Sequence, residues 1–363
     1  MPSPAYTFRR EPARALRDDA ALRADWDRLN AAGLDTVFLS ADAIGAALAV
    51  FGSGAEHLVC ARHDGRTVAM AVVEPHGRAR WATFQPSQVP LGAWVAERGV
   101  ELDALARALL RGGLPGFALA LSFSQVDPRQ APRGDDAADN RHDDYIPTSW
   151  LEVAGSFDDY WAQRGKNLRQ NMRKQRNKLE ADAVNATMRV LRAPDEMAPA
   201  LERYGQMESA GWKASEGTAI HPGNAQGRFY LQLLTDAARR GEAYVTEYLF
   251  DGRTVAMNLG LLRAGELVVL KTTYDESVGK ALSPASLLRE DELKAFFGGG
   301  EVRRIEYYGR TMDWHTKLTE QQRTIYHVTT YRWAWLKTLV ERRRAQAASA
   351  ESAADQPPAA AEA

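Results

Sequence analysis

The heptapeptide DGRTVAM occupies residues 64–70 and returns unchanged at residues 251–257, 187 residues later in a chain of 363 residues. Self-similarity at a fixed offset indicates an internal duplication. In each copy an Asp-Gly pair lies between two largely apolar stretches, which is typical of a tight turn joining two antiparallel strands. The sequence therefore predicts a duplicated unit built around a β-hairpin.

The same offset aligns further segments, and no gap is needed from about residue 57 to residue 123. It places the helical pattern LDALARALLRGG (102–113) on REDELKAFFGGG (289–300), and the apolar segment FALALSF (117–123) on RIEYYGR (304–310). Each copy thus has the order strand, turn, strand, strand, helix, strand. This order predicts an α+β fold of tandem duplicated domains, each with a mixed, mostly antiparallel sheet flanked by helices.

The domain boundaries follow from composition. We expect a first domain at residues 13–126 and a second at residues 148–344. Residues 127–147, which begin DPRQAPRGDDAADN, are polar and are expected to form a linker. Residues 345–363 are small and low in complexity, and such segments bury too little apolar surface to offset the entropy of ordering. They are expected to form a disordered tail.

Composition excludes several classes of protein. The 46 Lys and Arg residues balance 47 Asp and Glu residues, so nucleic acid binding over the whole surface is excluded. The single cysteine, Cys60, rules out an intrachain disulfide and a zinc site with several thiolates. The longest wholly apolar run, residues 43–51, is too short to span a bilayer. We expect a cytoplasmic protein with no metal site.

The segment from residue 266 to residue 286 has the pattern of an anion site. The predicted strand ELVVLKTTY (266–274) leads into a loop with Lys280 and then to Ser283-Pro284, a typical helix start. Free backbone N–H groups and the helix dipole favour a phosphate at such a helix start. A strand–loop–helix joint that binds nothing is the alternative, since no P-loop motif is present.

A second candidate is the basic helix predicted over residues 164–178, which has seven Lys or Arg residues and no acid. Arg169, Arg173 and Arg176 are spaced to share one face, and clustered guanidinium groups bind phosphates or carboxylates. A solvated basic face and nucleic acid binding are the alternatives. A third candidate is Trp212 with Lys213, which would line a substrate cleft or fill the domain interface.

The strand predicted around residues 304–308 is the fourth candidate. Alternation along a strand places Glu306 and Tyr308 on one side, where a carboxylate and a phenol would serve as general base and acid. Lys317 would stabilise a developing oxyanion. A structural ion pair between Glu306 and a nearby arginine is the alternative. His315 has no partner in the sequence and is assigned no role.

These motifs, in this order, resemble the GNAT-superfamily acetyltransferases of the CelD-like and FemAB-like type. The resemblance rests on W-x-x-R-x-K-N-L-R-x-x-x-R-K (161–174), on A-G-W-K with G-T-A-I (210–220), on DGRTVAM, and on K-T-T-Y-D-E (271–276) with Leu-Ser-Pro. It covers residues 150–320 well and residues 20–125 loosely. It implies two GNAT-like domains and transfer of an acyl group, usually acetyl from acetyl-CoA, to an amine or hydroxyl.

The resemblance also implies a layout of the site. The thioester would lie between two splayed parallel strands, here 266–273 and 303–309, with the coenzyme pyrophosphate before the helix that begins at Ser283. The residues expected to bind the coenzyme are Lys271, Thr272, Thr273, Tyr274, Lys280 and Ser283. The acceptor would lie against Arg169, Arg173, Trp212 and Lys213, and the catalytic residues would be Glu306, Tyr308 and Lys317.

Two departures from the family pattern bear on coenzyme binding. Relatives often have Gly after the Ser-Pro pair, whereas this chain has Ala285. In the first copy the matching stretch, TFQPSQVPLGAW (83–94), lacks Lys and has two prolines. The first domain is therefore expected to be a degenerate partner that binds no coenzyme.

The acceptor is expected to be a small or glycan-linked, anionic molecule in polysaccharide, cellulose or cell-envelope biosynthesis. Two alternatives remain open from the sequence. One is a FemAB-like peptidyltransferase that uses aminoacyl-tRNA, with tRNA bound by the basic helix. The other is a non-catalytic module that binds a nucleotide-sugar.

Overall fold

The computed structural model describes residues 6–210, 220–221, 223–279 and 281–354. Three residues predicted from sequence to bind ligands, Trp212, Lys213 and Lys280, lie outside these ranges. No helix among the described residues is both long and apolar enough to cross a membrane.

The strands form one continuous sheet. In chain order they are β1 (Thr7–Pro12), β2 (His57–His63), β3 (Arg66–Pro75), β4 (Arg80–Thr83), β5 (Trp94–Ala96), β6 (Ala120–Val126), β7 (Asn140–Glu152), β8 (Ala186–Leu191), β9 (Ala243–Phe250), β10 (Arg253–Arg263), β11 (Glu266–Tyr274), β12 (Arg304–Glu306) and β13 (Gln322–Tyr331). Across the sheet they run β1-β2-β3-β4-β6-β13-β7-β12-β11-β10-β9-β8, and the short β5 pairs with β3.

The helices cover both faces of the sheet. They are α1 (Ala15–Asp18), α2 (Ala20–Ala32), α3 (Ala41–Phe51), α4 (Leu102–Ala108), α5 (Phe157–Ala162), α6 (Lys166–Ala181), α7 (Pro194–Ala210), α8 (Ala225–Arg239), α9 (Pro284–Gly299), α10 (Asp313–Leu318) and α11 (Ala334–Ala354), with a 3-10 turn at Val37–Leu39 and a π turn at Leu109–Gly113. Leu293 and Phe296 of α9 pack on one face of the second half of the sheet, and Phe229 and Leu233 of α8 pack on the other.

The repeated heptapeptide adopts the same structure in both copies. Asp64 and Gly65 have φ of 50° and 77°, and Asp251 and Gly252 have φ of 49° and 81°. Two consecutive residues with positive φ are what a two-residue hairpin turn requires. Each copy also has a register shift of one residue soon after its turn, in the β2–β3 and the β9–β10 pairs. The predicted duplication and its hairpin are therefore confirmed.

The two halves exchange a strand at the centre of the sheet. β4 pairs in parallel with β6, and β11 pairs in parallel with β12, as the duplication predicts. The strand that follows β6 in the chain is β7, but β7 pairs with β12; the strand that follows β12 is β13, but β13 pairs with β6. Each half is thus completed by a strand from the other half, and β7 and β13 pair with each other.

This exchange changes the expected division of the chain. Residues 322–331 were expected within a second domain, yet as β13 they pair with β6 of the first half. Residues 140–147 were expected in the linker, yet they begin β7 at the centre of the sheet. Asp127, also in that segment, is fully buried. The polar composition reflects ion pairs here, such as Asp139 with Arg107, and not solvation alone.

The C-terminal expectation also differs in part. Helix α11 continues through residues 345–354, inside the segment expected to be disordered. Its Ala and Glu residues have high helix propensity, so the segment forms a helix despite its low sequence complexity.

The gap-free alignment of the two copies is only approximately correct. The parallel pairs match Arg80 with Ala120 in the first half and Glu266 with Arg304 in the second. Between β4 and β5 the first half also has an excursion over residues 84–93, where the second half has the uninterrupted strand β11. Insertions in loops shift the alignment locally while the strands stay in place.

The excursion occupies the space beyond the last β4–β6 pair. The N–H of Gly92 donates to the carbonyl oxygen of Ser124 at 3.1 Å, and the N–H of Ala93 donates to that of Phe84 at 2.9 Å. A Cβ on Gly92 would lie 2.4 Å from the Ser124 oxygen, so only glycine fits there. This arrangement gives a physical reason for the prediction that the first half binds no coenzyme.

Candidate active site

The second half has an open crevice where the first half is filled. β11 and β12 pair over only three residues, from Glu266–Arg304 to Val268–Glu306. β11 then continues to Tyr274, whereas the neighbouring chain turns away at Tyr308, whose φ is 48°. Beyond Val268 this edge of β11 has no partner strand among the described residues, and the two segments enclose a crevice of about 910 Å³.

Helix α9 begins at the wide end of this crevice. Ser283 is its N-cap and Pro284 its first residue, as predicted, and Gly300 ends it with a φ of 69°. The side chain of Ser283 makes no capping hydrogen bond; its hydroxyl lies 2.9 Å from that of Ser286. N–H groups at the start of a helix attract anions when no side chain satisfies them. Pro284 has no N–H, and those of Ser283 and Ser286 donate to Gln175 and to the Ser283 carbonyl oxygen. The N–H of Ala285 and the helix dipole are what this turn offers a phosphate.

Helix α6 supports this helix start. The side-chain oxygen of Gln175 accepts a hydrogen bond of 2.6 Å from the N–H of Ser283. Met172 and Leu179 pack in the same buried cluster as Leu287 of α9. The basic helix thus has an apolar face that fixes the position of α9.

A buried polar chain fixes the opposite side of α9 to the sheet. The hydroxyl of Thr272 on β11 donates to Asn258 Oδ1 at 2.8 Å. Asn258 Nδ2 in turn donates to both carboxylate oxygens of Glu292, at 2.8 and 2.9 Å, and the hydroxyl of Thr246 donates to the same carboxylate. Burial raises the pKa of Glu292. Because its hydrogen bonds are satisfied internally, Glu292 acts as a structural link between α9 and three strands.

The far wall of the crevice is aromatic. Trp314 and His315, at the start of α10, stack with ring centroids 3.5 Å apart, and Tyr307 meets the His315 ring edge-on at 4.8 Å. All three residues line the crevice together with Gly309 and Met312.

His315 has a defined protonation state. Its Nδ1 accepts a hydrogen bond of 2.9 Å from the N–H of Met312, so a neutral ring has its proton on Nε2. Burial and the nearby Arg289 lower the pKa of His315 to about 4. At neutral pH the ring is therefore uncharged, and Nε2 donates to no other group in the described part of the chain.

Most of the residues predicted to bind coenzyme lie at the crevice. Lys271, Thr272, Tyr274 and Ser283 line the crevice. Thr273 is buried and is not part of the lining. The Nζ of Lys271 also lies 5.9 Å from the ring centroid of Tyr230 on α8.

Glu306 lies in an ionic cluster and not in the crevice. Its carboxylate is fully buried and is within 2.6–2.9 Å of Arg129, Arg304 and Arg323. Burial raises the pKa of Glu306, and the three guanidinium groups oppose the shift. A base must reach the attacking group, and the crevice lining does not include Glu306. The placement does not support a role of Glu306 as catalytic base, and the ion pair considered from the sequence is present.

Tyr308 and Lys317 are also absent from the crevice lining. The ring of Tyr308 is buried edge-on against Phe38, at 5.1 Å between centroids, in the core between the halves. Strand β12 ends at Glu306, so the predicted alternation does not bring Tyr308 to the site. Lys317 is exposed on α10. Residues two apart on a helix do not share a face, and His315 lies in the crevice instead.

The basic helix divides its arginines. Arg169 and Arg173 are exposed on α6. Arg176 turns inward, where its guanidinium pairs with Glu290 and Asp291 of α9. The third member of the predicted anion-binding face is therefore structural.

Three crevice residues were not found from the sequence: Arg289, Trp314 and His315. Arg289 lies within a run of charged residues, REDELK, that resembles any helix surface. No element was predicted for the stretch MDWHTK, although Asp313 is an acid of the kind that favours the first turn of a helix.

Comparisons with known proteins agree with this geometry. Residues 166–316 match the acetyltransferase (GNAT) domain family. No match was found among the curated proteins. Among solved structures, a conserved protein of unknown function from Bacteroides thetaiotaomicron is similar, with 10% identity, a TM-score of 0.52, and coverage of 87% of this chain and 97% of that one.

Two further structures share the fold. One is the C-terminal domain (DUF2156) of a protein described as a lysylphosphatidylglycerol synthetase from Agrobacterium fabrum, with 12% identity, a TM-score of 0.51, and coverage of 84% and 92% of the two chains. The other is FemX, with 9% identity, a TM-score of 0.51, and coverage of 79% and 90%. These identities show the fold alone, whereas the family match covers the strands and helices that build the crevice. Residues 166–316 therefore match an acetyltransferase domain of the GNAT type.

Proposed function

We propose that the crevice between β11 and residues 307–315 binds an acyl-CoA, with acetyl-CoA as the simplest donor, and transfers the acyl group to an amine or hydroxyl. The observation that carries this proposal is the separation of two parallel strands after three residue pairs, beside the uncapped start of α9. An extended acyl-CoA needs a long channel, and the phosphates of its CoA part need N–H donors at one end of that channel.

The geometry of the crevice supports one orientation of the bound acyl-CoA. The coenzyme phosphates would lie on the first turn of α9, at the wide end of the crevice. The pantetheine arm would follow the free edge of β11, because main-chain groups beyond Val268 have no partner strand there. The thioester would then reach the narrow end, near Val269 and Tyr307.

His315 is the group we assign to the charge that develops during transfer. The acceptor nitrogen or oxygen forms a bond to the thioester carbon, the carbon–sulfur bond breaks, and the proton lost by the acceptor is balanced by protonation of the thiolate. The carbonyl oxygen becomes negative in the intermediate. A neutral imidazole with its proton on Nε2 donates a hydrogen bond to such an oxyanion without adding a second titrating group.

The acceptor is proposed to be anionic. Arg169 and Arg173 are exposed on the helix that supports the donor site. Guanidinium groups in that setting bind phosphate or carboxylate. The resemblance to CelD-like proteins favours a sugar-linked acceptor in polysaccharide or cell-envelope biosynthesis.

Calorimetric titration of the wild-type protein tests the donor. We expect acetyl-CoA and CoA to bind, and acetyl-CoA with a suitable amine or hydroxyl to release free CoA thiol. Mass spectrometry of the acceptor pool should then show the mass of the transferred acyl group. Binding of a nucleotide-sugar or of aminoacyl-tRNA, with no binding of either CoA species, would contradict the proposal in favour of the alternatives.

A further inference from the structure

Arg289 is a charged residue of the crevice that has no hydrogen-bond or ion-pair partner among the described residues. It lies in the second turn of α9 and lines both the crevice and the small closed space behind it, which Ile305, Leu293 and Phe296 enclose. Its guanidinium carbon is 3.7 Å from the ring centroid of Trp314. The indole therefore covers one face of the guanidinium and leaves its N–H edges to be satisfied by something else.

Other arginines in this part of the fold are paired. Arg176 meets Glu290 and Asp291, and Arg304 meets Glu152 and Glu306. Arg289 forms no ion pair and no hydrogen bond within the ranges that the structure describes. The nearby carboxylate of Glu292 is already held by Thr246 and Asn258.

An unpaired charge in this position is costly for the folded protein. Burial lowers the pKa of Arg289, yet a guanidinium stays charged at any physiological pH. A buried charge without a counter-ion destabilises a protein, and such strain is found where a ligand supplies the missing partner. Trp314 offsets part of this cost, but a ring supplies no hydrogen-bond acceptor of carboxylate strength.

We propose that Arg289 binds a carboxylate of the substrate inside the crevice. The partner has one negative charge and a planar pair of oxygens, which match the fork of a guanidinium. A coenzyme phosphate is a poorer match, because its proposed position is at the first turn of α9, at the open end of the crevice. Val269, Tyr307 and Trp314 beside Arg289 are apolar or aromatic, and the Glu292 carboxylate lines the same space, so a doubly charged, strongly hydrated group is disfavoured there.

The inference rests on the proposed function, since it concerns the same crevice. The carboxylate has two sources: the far end of a dicarboxylic acyl group on the donor, or the acceptor molecule. The chemistry at Arg289 is the same for both sources. The compound that loses affinity when the guanidinium is removed identifies the source.

The test is calorimetric titration of three proteins. They are the wild type, Arg289→Met, which keeps an unbranched apolar stem without the guanidinium, and Arg343→Met, which removes an exposed arginine of α11 as a matched control. The donor arm compares CoA, acetyl-CoA and succinyl-CoA. The acceptor arm compares L-alanine with L-alaninamide, titrated into protein with CoA present.

We expect the wild type to prefer the compound with the carboxylate by about 10- to 100-fold in one of the two arms, and Arg289→Met to lose that preference. A preference for succinyl-CoA over acetyl-CoA identifies the donor as the source, and a preference for alanine over alaninamide identifies the acceptor. Arg343→Met should match the wild type. Equal affinities within both arms, or an equal loss for all three CoA species in Arg289→Met, would overturn the inference.

The melting temperature of the ligand-free proteins separates binding from folding. If Arg289 serves a ligand, Arg289→Met melts at the same or a higher temperature than the wild type, because an unpaired charge has been removed. A lower melting temperature together with unchanged affinities would show that Arg289 is a structural partner of Trp314. If no CoA species binds the wild type while alanine binds in an Arg289-dependent way, the donor proposal fails and the carboxylate inference stands.

Discussion

The backbone N–H of Met312 donates a hydrogen bond of 2.9 Å to Nδ1 of His315. This bond ties the imidazole to the turn that opens α10 and directs the other ring nitrogen, Nε2, to act as a donor. The stacked Trp314 ring holds the imidazole in place at a centroid distance of 3.5 Å. A neutral histidine with a fixed tautomer is thus a consequence of the local backbone and of burial together.

Replacement of His315 by Asn should remove the Nε2 donor while the hydrogen bond from the N–H of Met312 is kept. The Asn oxygen takes the place of Nδ1 and still accepts from Met312, whereas nothing takes the place of Nε2. Loss of one oxyanion donor lowers kcat by about 100- to 1000-fold. Steady-state kinetics should therefore show a lower kcat with little change in the affinity for acetyl-CoA, and an unchanged kcat would remove His315 from the mechanism.

The depressed pKa of His315 also predicts a pH dependence of stability. The folded-state pKa of about 4 lies below the ordinary value of about 6.5, so the unfolded chain binds the proton more readily between these two values. The resulting stability is present above pH 6.5 and is lost as the pH falls towards 4. At pH 5 the loss is about 2 kcal/mol.

Urea denaturation at pH 7 and pH 5 measures this loss. Burial lowers the pKa of His327 as well, so the wild type contains a second contribution of the same sign. The comparison is therefore between variants: His315→Gln should lose about 2 kcal/mol less than the wild type between the two pH values. His76→Gln, at an exposed position, should behave as the wild type. Identical losses in all three proteins would show that His315 titrates normally.

The proposed phosphate site is tested by a charge in the first turn of α9. Ser286 lines the crevice in the first turn of α9. In Ser286→Glu the new carboxylate suits the helix dipole, so the melting temperature should be the same or higher. It repels the coenzyme phosphates, and the affinity for acetyl-CoA should fall by about tenfold or more.

Ser286→Ala is the control for this change. It removes the hydroxyl that lies 2.9 Å from that of Ser283 but adds no charge, and we expect near wild-type affinity. Calorimetric titration of both variants with acetyl-CoA gives the comparison. Wild-type affinity in Ser286→Glu would place the phosphates elsewhere.

Local features of the fold were predictable from the sequence. The Asp-Gly turns, the strands that flank them and the helix between Ser283 and Gly300 depend on residues within a few positions of each other. Turn chemistry and helix-capping residues act at that range, and they gave the correct elements in both halves.

The central strand exchange was not predictable in the same way. β7 follows the first half but pairs with β12 of the second half, and β13 follows the second half but pairs with β6 of the first. No local signal in the sequence distinguishes this choice. The same limit applies to Glu306, whose partner Arg129 is 177 positions away. Spacing on a strand showed which side Glu306 faces but not what lies on that side.

Site residues on the regular strand β11 were predicted, whereas the alternation assumed for residues after β12 was wrong. Thr272 and Tyr274 lie on β11 and line the crevice as expected. Tyr308 was assigned by strand alternation, but the chain leaves the strand at Glu306 and Tyr308 has a positive φ. The crevice exists because of that departure, so alternation fails at the point where the site is formed.

Substitution of Glu306 by Gln gives a final prediction, which separates structure from catalysis. The carboxylate lies within 2.6–2.9 Å of three guanidinium groups and is fully buried. An amide of the same shape removes one of the two carboxylates that each arginine contacts, because Arg129, Arg304 and Arg323 keep Glu266, Glu152 and Asp127. Loss of a hydrogen-bonded charge from such a buried network costs about 1.5–3 kcal/mol.

Glu306→Gln should therefore lower the melting temperature while leaving kcat unchanged at temperatures where the variant is folded. The measurements are thermal unfolding and initial rates at a temperature well below both transitions. A matched variant, Glu301→Gln, removes a carboxylate that pairs with Arg192 at the surface and should alter stability little. If Glu306→Gln instead kept its melting temperature and lost turnover, the carboxylate would be a catalytic base after all, and the crevice would have to open towards the ionic cluster for the acceptor to reach it.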